Sequence, residues 1–257
     1  HGGGLARLGK ARASPTYGWD LEYGSAARQV APFAFAAHLV SNGALWPFVA
    51  DGGYGRRDLW DAEGWAWREA NGIEGPPFWV RDPRAPSRTP RLRAVFSELP
   101  MQWAWPVLVP RHEATAFCRW LSWADGREGP GEGYRLPTEA EHALLRDPEE
   151  AGPGEANWHL AHGSEGPVDA WAPTAAGAHD VCGNAWEHCA DPAAPLDGFE
   201  PHALYEDYSA TSFGGDHYTL LGGSFATTGA ACSPQHRSWF RPHFVQHAGF
   251  RVVRPMM

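Results

Sequence analysis

The sequence predicts a single α+β domain in which helices are few and long loops carry much of the chain. Amphipathic helical patterns occur at only a few places, and the strand candidates are short. The chain of 257 residues also contains 30 Gly, 23 Pro and 14 Trp. This composition is typical of turn-rich proteins whose loops are anchored by large aromatic side chains.

Three segments carry helical signals. Thr138 and Glu141 form a capping-box pattern that predicts a short helix. Another helix is expected to begin near Ser41 or Asn42, although Pro47 would remove one backbone hydrogen bond. The third lies in segment 111–123, where one apolar face is formed by Ala114, Phe117, Cys118 and Leu121.

Segments 28–40 and 248–254 are the strand candidates. Two stretches rich in Pro and Gly, 82–93 and 147–157, are predicted to be loops within the domain, because aromatic-rich sequence continues on both sides of each. We therefore assign residues 1–257 to one domain.

Composition excludes several classes of function. The chain has 30 acidic and 21 basic residues, a formal charge of -9, which disfavours a nucleic-acid ligand. No apolar run reaches the length of a membrane span. The cysteines are too few and too scattered for a disulfide scaffold, so we expect reduced thiols and a cytoplasmic protein; they are Cys118, Cys182, Cys189 and Cys232.

The segment 180–191 contains a candidate calcium site. Asp180 and Glu187 flank a Gly-Asn turn, and carboxylates together with backbone carbonyls are the ligands that Ca²⁺ prefers. The alternative is a purely structural turn in which Asn184 supports the backbone and Trp186 anchors it.

Histidine pairs offer a second metal hypothesis. His243 and His247 are four residues apart, and His159 and His162 are three apart, a spacing that could hold a metal on a helix. Pro242 and Gly249 closely flank the first pair, which argues against a helix there. Structural histidines are the favoured interpretation.

Two further groups could carry chemistry. Among Tyr205, Tyr208 and Tyr218, a loop tyrosine could donate a proton to a bound intermediate, or each ring could simply be packed. Cys232 precedes His236 by four residues; these could form a nucleophile pair, but a small buried thiol is the favoured interpretation.

Several motifs in the expected order resemble a known family. "RLPTEAE", "GNAWE", "GGSF" and the terminal "GFRVV" resemble the formylglycine-generating-enzyme-like fold, which is related to C-type lectins and has few helices, short antiparallel strands and long loops. "YGWDLEYG", "EGWAWR", "YEDYS" and "FRPHFVQHAGFR" resemble the non-haem iron sulfoxide synthases of ovothiol and ergothioneine biosynthesis. The ovothiol type, 5-histidylcysteine sulfoxide synthase, is the closer match, and the resemblance covers nearly the whole chain.

The resemblance implies a substrate site. Tyr205 occupies the position of an active-site tyrosine that favours carbon–sulfur bond formation. Ser238 and Trp239 occupy positions that line the histidine-type substrate. Phe240 stands where the ergothioneine type has an acidic residue that helps to hold a γ-glutamyl group, so a smaller thiol donor such as cysteine is implied.

Two arginines flank these positions. Arg237 and Arg241 could bind substrate carboxylates, because guanidinium groups grip carboxylates bidentately. Alternatively, both could be structural and cap loop carbonyls.

The resemblance also implies metals. The turn that binds calcium in formylglycine-generating relatives is matched by Asp180, Gly183, Ala185 and Glu187. Iron(II) in the synthases is held by histidines of a separate N-terminal helical domain of the DinB type, which we expect this chain to lack. The copper site of formylglycine generation needs two cysteines, and the corresponding residues here are Thr227 and Cys232. His142 and His188 stand where the family usually has Trp.

We therefore expect an O2-dependent sulfoxide synthase domain, an oxidoreductase that works with a DinB-type iron domain. Its substrates would be cysteine or a derivative, histidine or a derivative, and O2. A non-catalytic binding module on the same scaffold and, as a weaker alternative, a copper oxidase that generates formylglycine stay open.

Overall fold

The computed structural model describes residues 1–82, 84, 89–127, 129, 131–146 and 156–256. Four α-helices lie within these ranges. They are α1 (Asn42–Ala50), α2 (Ala62–Asn71), α3 (Arg111–Ala124) and α4 (Glu139–Leu145). None of the helices described is long and apolar enough to cross a bilayer.

The three predicted helices are confirmed, and so are the start signals predicted for α1 and α4. The Ser41 hydroxyl accepts the Ala44 N–H at the start of α1, which contains Pro47. At α4 the capping box is complete, because Thr138 Oγ1 accepts the Glu141 N–H and the Glu141 carboxylate accepts the Thr138 N–H.

The apolar face of α3 forms the centre of the main core. Phe117 contacts Phe48 of α1 and Phe250, with ring centroids 6.1 and 5.5 Å apart. All three side chains are buried, and each contributes about 1.5–3 kcal/mol through removal from water.

Helix α2 was not predicted. Its segment contains Gly64 and two Trp residues, which weaken the helical pattern. The helix begins because the Asp61 carboxylate accepts the Gly64 N–H, and it ends at Gly72, which adopts φ 60°.

Eleven short strands form four small sheets within the described residues. The strands are β1 Gly4–Leu8, β2 Ala26–Val30, β3 Phe33–Phe35, β4 Trp79–Val80, β5 Arg91–Arg93, β6 Glu98–Pro100, β7 Trp186–Pro192, β8 Tyr218–Leu221, β9 Ser238–Phe240, β10 Ala248–Gly249 and β11 Val253–Pro255. A four-stranded sheet has the order β10-β7-β8-β9, a three-stranded sheet has the order β4-β5-β6, and β1 pairs with β2 and β11 with β3. Every pairing is antiparallel except β10 with β7.

Each strand candidate contains two strands. Segment 28–40 covers the end of β2 and all of β3, which are separated by Ala31 and Pro32, because proline cannot donate a hydrogen bond to a sheet. Segment 248–254 contains β10 and most of β11.

The loop prediction for 82–93 was wrong at its end. Residues 91–93 form β5, because Leu92 is buried and pairs with Leu99. Residues 83 and 85–88 of that segment, and most of segment 147–157, lie outside the described residues.

Candidate active site

Tyr205 and Trp239 meet through a third aromatic residue, Tyr208. The Tyr208 ring lies 5.4 Å from Tyr205 and 4.9 Å from Trp239, the latter edge-on at 87°. Trp19 stacks on Tyr208, with centroids 4.4 Å apart and planes at 25°. We call these four residues the aromatic surface; it joins the start of the chain to two segments near its end.

The phenol of Tyr205 is open to solvent, because the residue is 55% exposed. Tyr208 is half-buried. Burial, followed by the negative charges of Asp20 and Glu22, raises the pKa of Tyr208, so this phenol stays protonated at neutral pH. The surface therefore combines an accessible proton donor with flat apolar faces on which an imidazole ring can stack.

Trp19, a member of this surface, and Asp20 beside it were not assigned to the site from the sequence. They lie in the motif "YGWDLEYG", which contributed to the resemblance but was given no role. Their contacts with Tyr208 and Ser209 join positions about 190 residues apart. A single sequence carries no periodic signal at that separation.

The three neighbouring site candidates Ser238, Trp239 and Phe240 form strand β9, and their side chains do not all point to the same face. Strand β9 lies at the edge of the four-stranded sheet and pairs only with β8 among the described strands. Successive side chains of a strand point to opposite faces, and Trp239 points to the aromatic surface. Ser238 and Phe240 therefore leave from the other face, where Phe240 contacts Phe244 at 6.0 Å.

Arg237 has a structural role, which corrects its assignment as a substrate ligand. Its side chain is 4% exposed. It forms a bidentate pair with Glu139, with N–O distances of 2.5 and 2.9 Å, and donates to the carbonyls of Leu21 and Ala194. Four of the five guanidinium N–H donors therefore have protein acceptors.

Arg241 differs from Arg237. Its side chain is 51% exposed, and its ion pair with Asp216 is long, at 3.6 Å. A loose surface pair of this kind contributes little to stability, so the guanidinium can exchange it for the carboxylate of an incoming ligand.

Glu187, a predicted calcium ligand, has another partner. Its two carboxylate oxygens accept hydrogen bonds from Arg251, each at 3.1 Å, and His142 Nε2 lies 3.3 Å from one of them. All three side chains are fully buried. Although burial alone would raise the pKa of Glu187, the charges of Arg251 and His142 lower it to about 2.

The remaining members of the predicted calcium set are also engaged. Asp180 accepts the side-chain amide of Asn184 at 3.0 Å, and the Gly183 carbonyl accepts the Ala185 N–H at 2.8 Å. Because Arg251 already neutralises Glu187, this turn does not present the negative charge that calcium needs. The residues fit a structural turn better than a calcium site, and Asn184 supports the turn as the alternative interpretation predicted.

His243 and His247 have separate environments. His243 stacks on Phe244, whereas His247 lies against Phe78 and Phe225. Across the residues that the structure describes, no group of three or more His, Cys, Asp or Glu side chains is arranged to hold a metal ion.

Cys232 and His236 are not directed at each other. The Cys232 thiol donates to the Thr227 carbonyl at 3.2 Å, and His236 Nδ1 bonds the Glu22 carboxylate at 2.8 Å. Thr227, which stands at the position of one copper-binding cysteine, accepts the Ser224 N–H through its hydroxyl. These contacts favour the structural interpretation of Cys232.

Two cavities of about 220 and 520 Å³ lie between α4 and the sheet of β1 and β2. Both include Glu139 and Arg237, and neither is lined by a residue of the aromatic surface. The aromatic surface opens to solvent at Tyr205, which is 55% exposed, and a second surface would have to cover it there to exclude water from a reaction.

The fold and these motifs define a formylglycine-generating-enzyme-like domain. The chain belongs to the family described as Sulfatase-modifying factor enzyme 1-like domain, whose family model matches residues 2–256. The structure of PvdO from Pseudomonas aeruginosa has the same fold, with a TM-score of 0.62 and 18% identity over 99% of this chain and 92% of that one.

Curated relatives give a more particular comparison. The chain is 32% identical over 235 residues to hercynine oxygenase of Mycobacterium tuberculosis, covering 83% of this chain. It is 30% identical over 255 residues to hercynine oxygenase of Mycolicibacterium thermoresistibile, covering 91% of this chain. The chain spans about half the length of these relatives, 50% and 53% respectively.

Proposed function

We propose that this chain is the substrate-binding part of an O2-dependent sulfoxide synthase, which joins the sulfur of a cysteine-type thiol to the imidazole ring of histidine or a histidine derivative. The observation that carries the proposal is the meeting of Tyr205 and Trp239 on one open aromatic surface. The similarity to hercynine oxygenases supports an oxygenase role on an imidazole substrate.

The proposal places catalytic iron on a separate N-terminal unit of the DinB type. The described residues offer no cluster suited to a metal, and the match to this chain covers only about half of each curated relative. Iron(II), when bound, would supply the activation of O2. Covering the aromatic surface with this second unit would also exclude water, which strengthens electrostatic interactions inside the site.

The chain's own residues bind and orient the reactants. Trp239 and Tyr208 present ring faces and edges for the imidazole. The exposed guanidinium of Arg241 binds an amino-acid carboxylate. Coupling a thiol and an imidazole C–H with O2 yields the sulfoxide and water, so Tyr205 passes its phenolic proton to the oxygen that leaves as water and regains one of the protons that the two reactants release. Holding these groups in one geometry lowers the barrier.

The thiol donor is a small one in this proposal. Phe240 has no charge with which to bind an ammonium group, and its side chain leaves β9 on the face opposite Trp239. Cysteine is therefore favoured over a γ-glutamyl thiol.

The test uses the full-length protein with iron(II), O2 and cysteine, supplied with either histidine or hercynine. Mass spectrometry should detect a coupled sulfoxide with one of the two imidazoles. Tyr205→Phe should increase the share of thiol that is oxidised without coupling. Tyr134→Phe is the matched control, because the Tyr134 hydroxyl binds Asp125 outside the site.

Two outcomes would contradict the proposal. Saturable binding of histidine or hercynine without any turnover would support the non-catalytic binding module instead. An unchanged product distribution in Tyr205→Phe would remove the role assigned to this phenol.

A further inference from the structure

The segment that carries Tyr205 is held at both ends by one buried carboxylate. Asp20 is 2% exposed. Its Oδ1 atom accepts the Ser209 hydroxyl at 2.5 Å, and its Oδ2 atom accepts the backbone N–H of His202 at 3.3 Å. Because His202 and Ser209 lie on either side of Tyr205, we call residues 202–209 the tyrosine loop.

Apart from these bonds, the tyrosine loop is fixed mainly by the rings of His202 and Tyr208, which pack against Trp19 and, for Tyr208, Trp239. Residues 203–207 are all exposed, and Leu204 is 93% exposed. Within the loop, the Tyr205 N–H donates to the His202 carbonyl and the Tyr208 N–H donates to the Tyr205 carbonyl. Local turns of this kind are weak when solvated, so the contacts with Asp20 at the loop ends restrict its position.

The same short turn also holds the other side of the aromatic surface. The Leu21 carbonyl accepts Arg237 at 2.8 Å, and the Glu22 carboxylate accepts His236 Nδ1 at 2.8 Å. His236 and Arg237 directly precede β9, which carries Trp239. Residues 20–22 therefore fix the positions of both Tyr205 and Trp239 from a single element.

We propose that Asp20 is a positioning residue, which acts through the tyrosine loop to hold the Tyr205 phenol beside Tyr208 and Trp239. This inference rests on the proposed function for its catalytic consequence. Asp20 does not contact the open face itself, because it is buried beneath the loop. Its contribution is geometric: small displacements of a reacting group cost about 100-fold in rate.

The first measurement needs no iron. Hydrogen exchange of the peptide covering residues 202–209 is compared in the full-length wild type, Asp20→Asn and Ser209→Ala. Asparagine keeps the shape of aspartate but cannot use its amide nitrogen to accept the second hydrogen bond. We expect exchange in the loop to rise about tenfold or more in both variants.

Asp61→Asn is the matched control. This aspartate also accepts a backbone N–H, at the start of α2, and has no contact with the tyrosine loop among the hydrogen bonds described. It should leave exchange in residues 202–209 unchanged. Ser209→Ala keeps the inference testable if Asp20→Asn fails to fold.

The second measurement is steady-state coupling. In both loop variants kcat should fall about 10- to 100-fold while KM changes by less than about threefold, because orientation is lost and binding is kept. Unchanged loop exchange would overturn the inference, as would faster exchange with an unaltered kcat. If the wild type makes no sulfoxide, the proposed function fails, and the exchange data alone decide whether Asp20 holds the loop.

Discussion

Arg251 and Glu187 form a bidentate ion pair in the interior, with both N–O distances at 3.1 Å and neither side chain exposed. Arg251 also donates to the carbonyls of Ala36, Ala37 and His179. A single guanidinium thus connects the start of the chain, the turn at residue 180 and the four-stranded sheet.

Removing this guanidinium should destabilise the fold strongly. Arg251→Met leaves the Glu187 carboxylate buried without its partner, and the free energy of unfolding should fall by about 3–5 kcal/mol. Urea denaturation measures this change. Arg12→Met is the control, because Arg12 pairs with Glu200 at 3.0 Å and both side chains are largely exposed, at 50% and 74%; it should cost about 1 kcal/mol or less. Equal losses in the two variants would contradict the prediction.

Chelation of divalent cations should leave stability unchanged. Because Arg251 supplies the positive charge beside Glu187, EDTA should shift the melting temperature by less than about 1 °C. A calcium ion at 100 times its Kd would add about 2.7 kcal/mol. A rise of about 5 °C or more on adding Ca²⁺ would restore the calcium interpretation of this turn.

The contribution of Glu113 to stability should decrease as pH rises towards 8. Burial raises the pKa of Glu113 from 4.5 to about 8, although the Tyr54 hydroxyl bond favours its charged form. Between these values the unfolded chain has lost the proton that the folded chain keeps. The contribution of this group to the free energy of unfolding therefore falls with pH across this window.

Glu113→Gln tests this dependence. The amide still accepts from Tyr54 but carries no titrating proton, so urea unfolding at about pH 5 and about pH 8 should show a smaller loss than in the wild type. Exposed Glu74 offers the control, and Glu74→Gln should reproduce the wild-type loss. An identical change in the free energy of unfolding between the two pH values in all three proteins would refute the role assigned to Glu113.

Trp239→Ala should weaken binding of the imidazole substrate. The indole packs edge-on to Tyr208, and loss of an aromatic contact surface worth about 1.4 kcal/mol raises KM about tenfold. Steady-state kinetics with varied imidazole substrate measures the effect. Trp123→Ala removes an exposed indole of α3 that lies outside the aromatic surface, and should change KM by less than about threefold. The prediction fails if the two variants behave alike.

Local signals in the sequence predicted local structure well. The capping box at Thr138, the N-cap at Ser41 and the apolar face of α3 all depend on residues within one or two turns of each other. Helix α2 was missed because its start depends on one side chain, Asp61, ahead of a segment with weak apolar periodicity.

The site was harder to predict, because the side chains that contact one another there are far apart in the sequence. Tyr205 and Trp239 do lie on one surface. Guanidinium chemistry suggested a substrate ligand at Arg237, and motif matching suggested a calcium ligand at Glu187, whereas Glu139 and Arg251 hold these two side chains within the protein. The residue type alone does not show whether a charged side chain pairs with a substrate or with a buried counter-ion of the protein.

The contact between Asp20 and Ser209 also determines when this surface can form during synthesis. Because 189 positions separate the two residues, the Asp20 carboxylate can accept the Ser209 hydroxyl only after most of the chain has been synthesised. Closing so long a loop is entropically costly, and contacts of this range slow folding. A chain that stops before Ser209 would leave Asp20 Oδ1 without the hydroxyl that it accepts in the complete fold, so the tyrosine loop would be anchored by His202 alone.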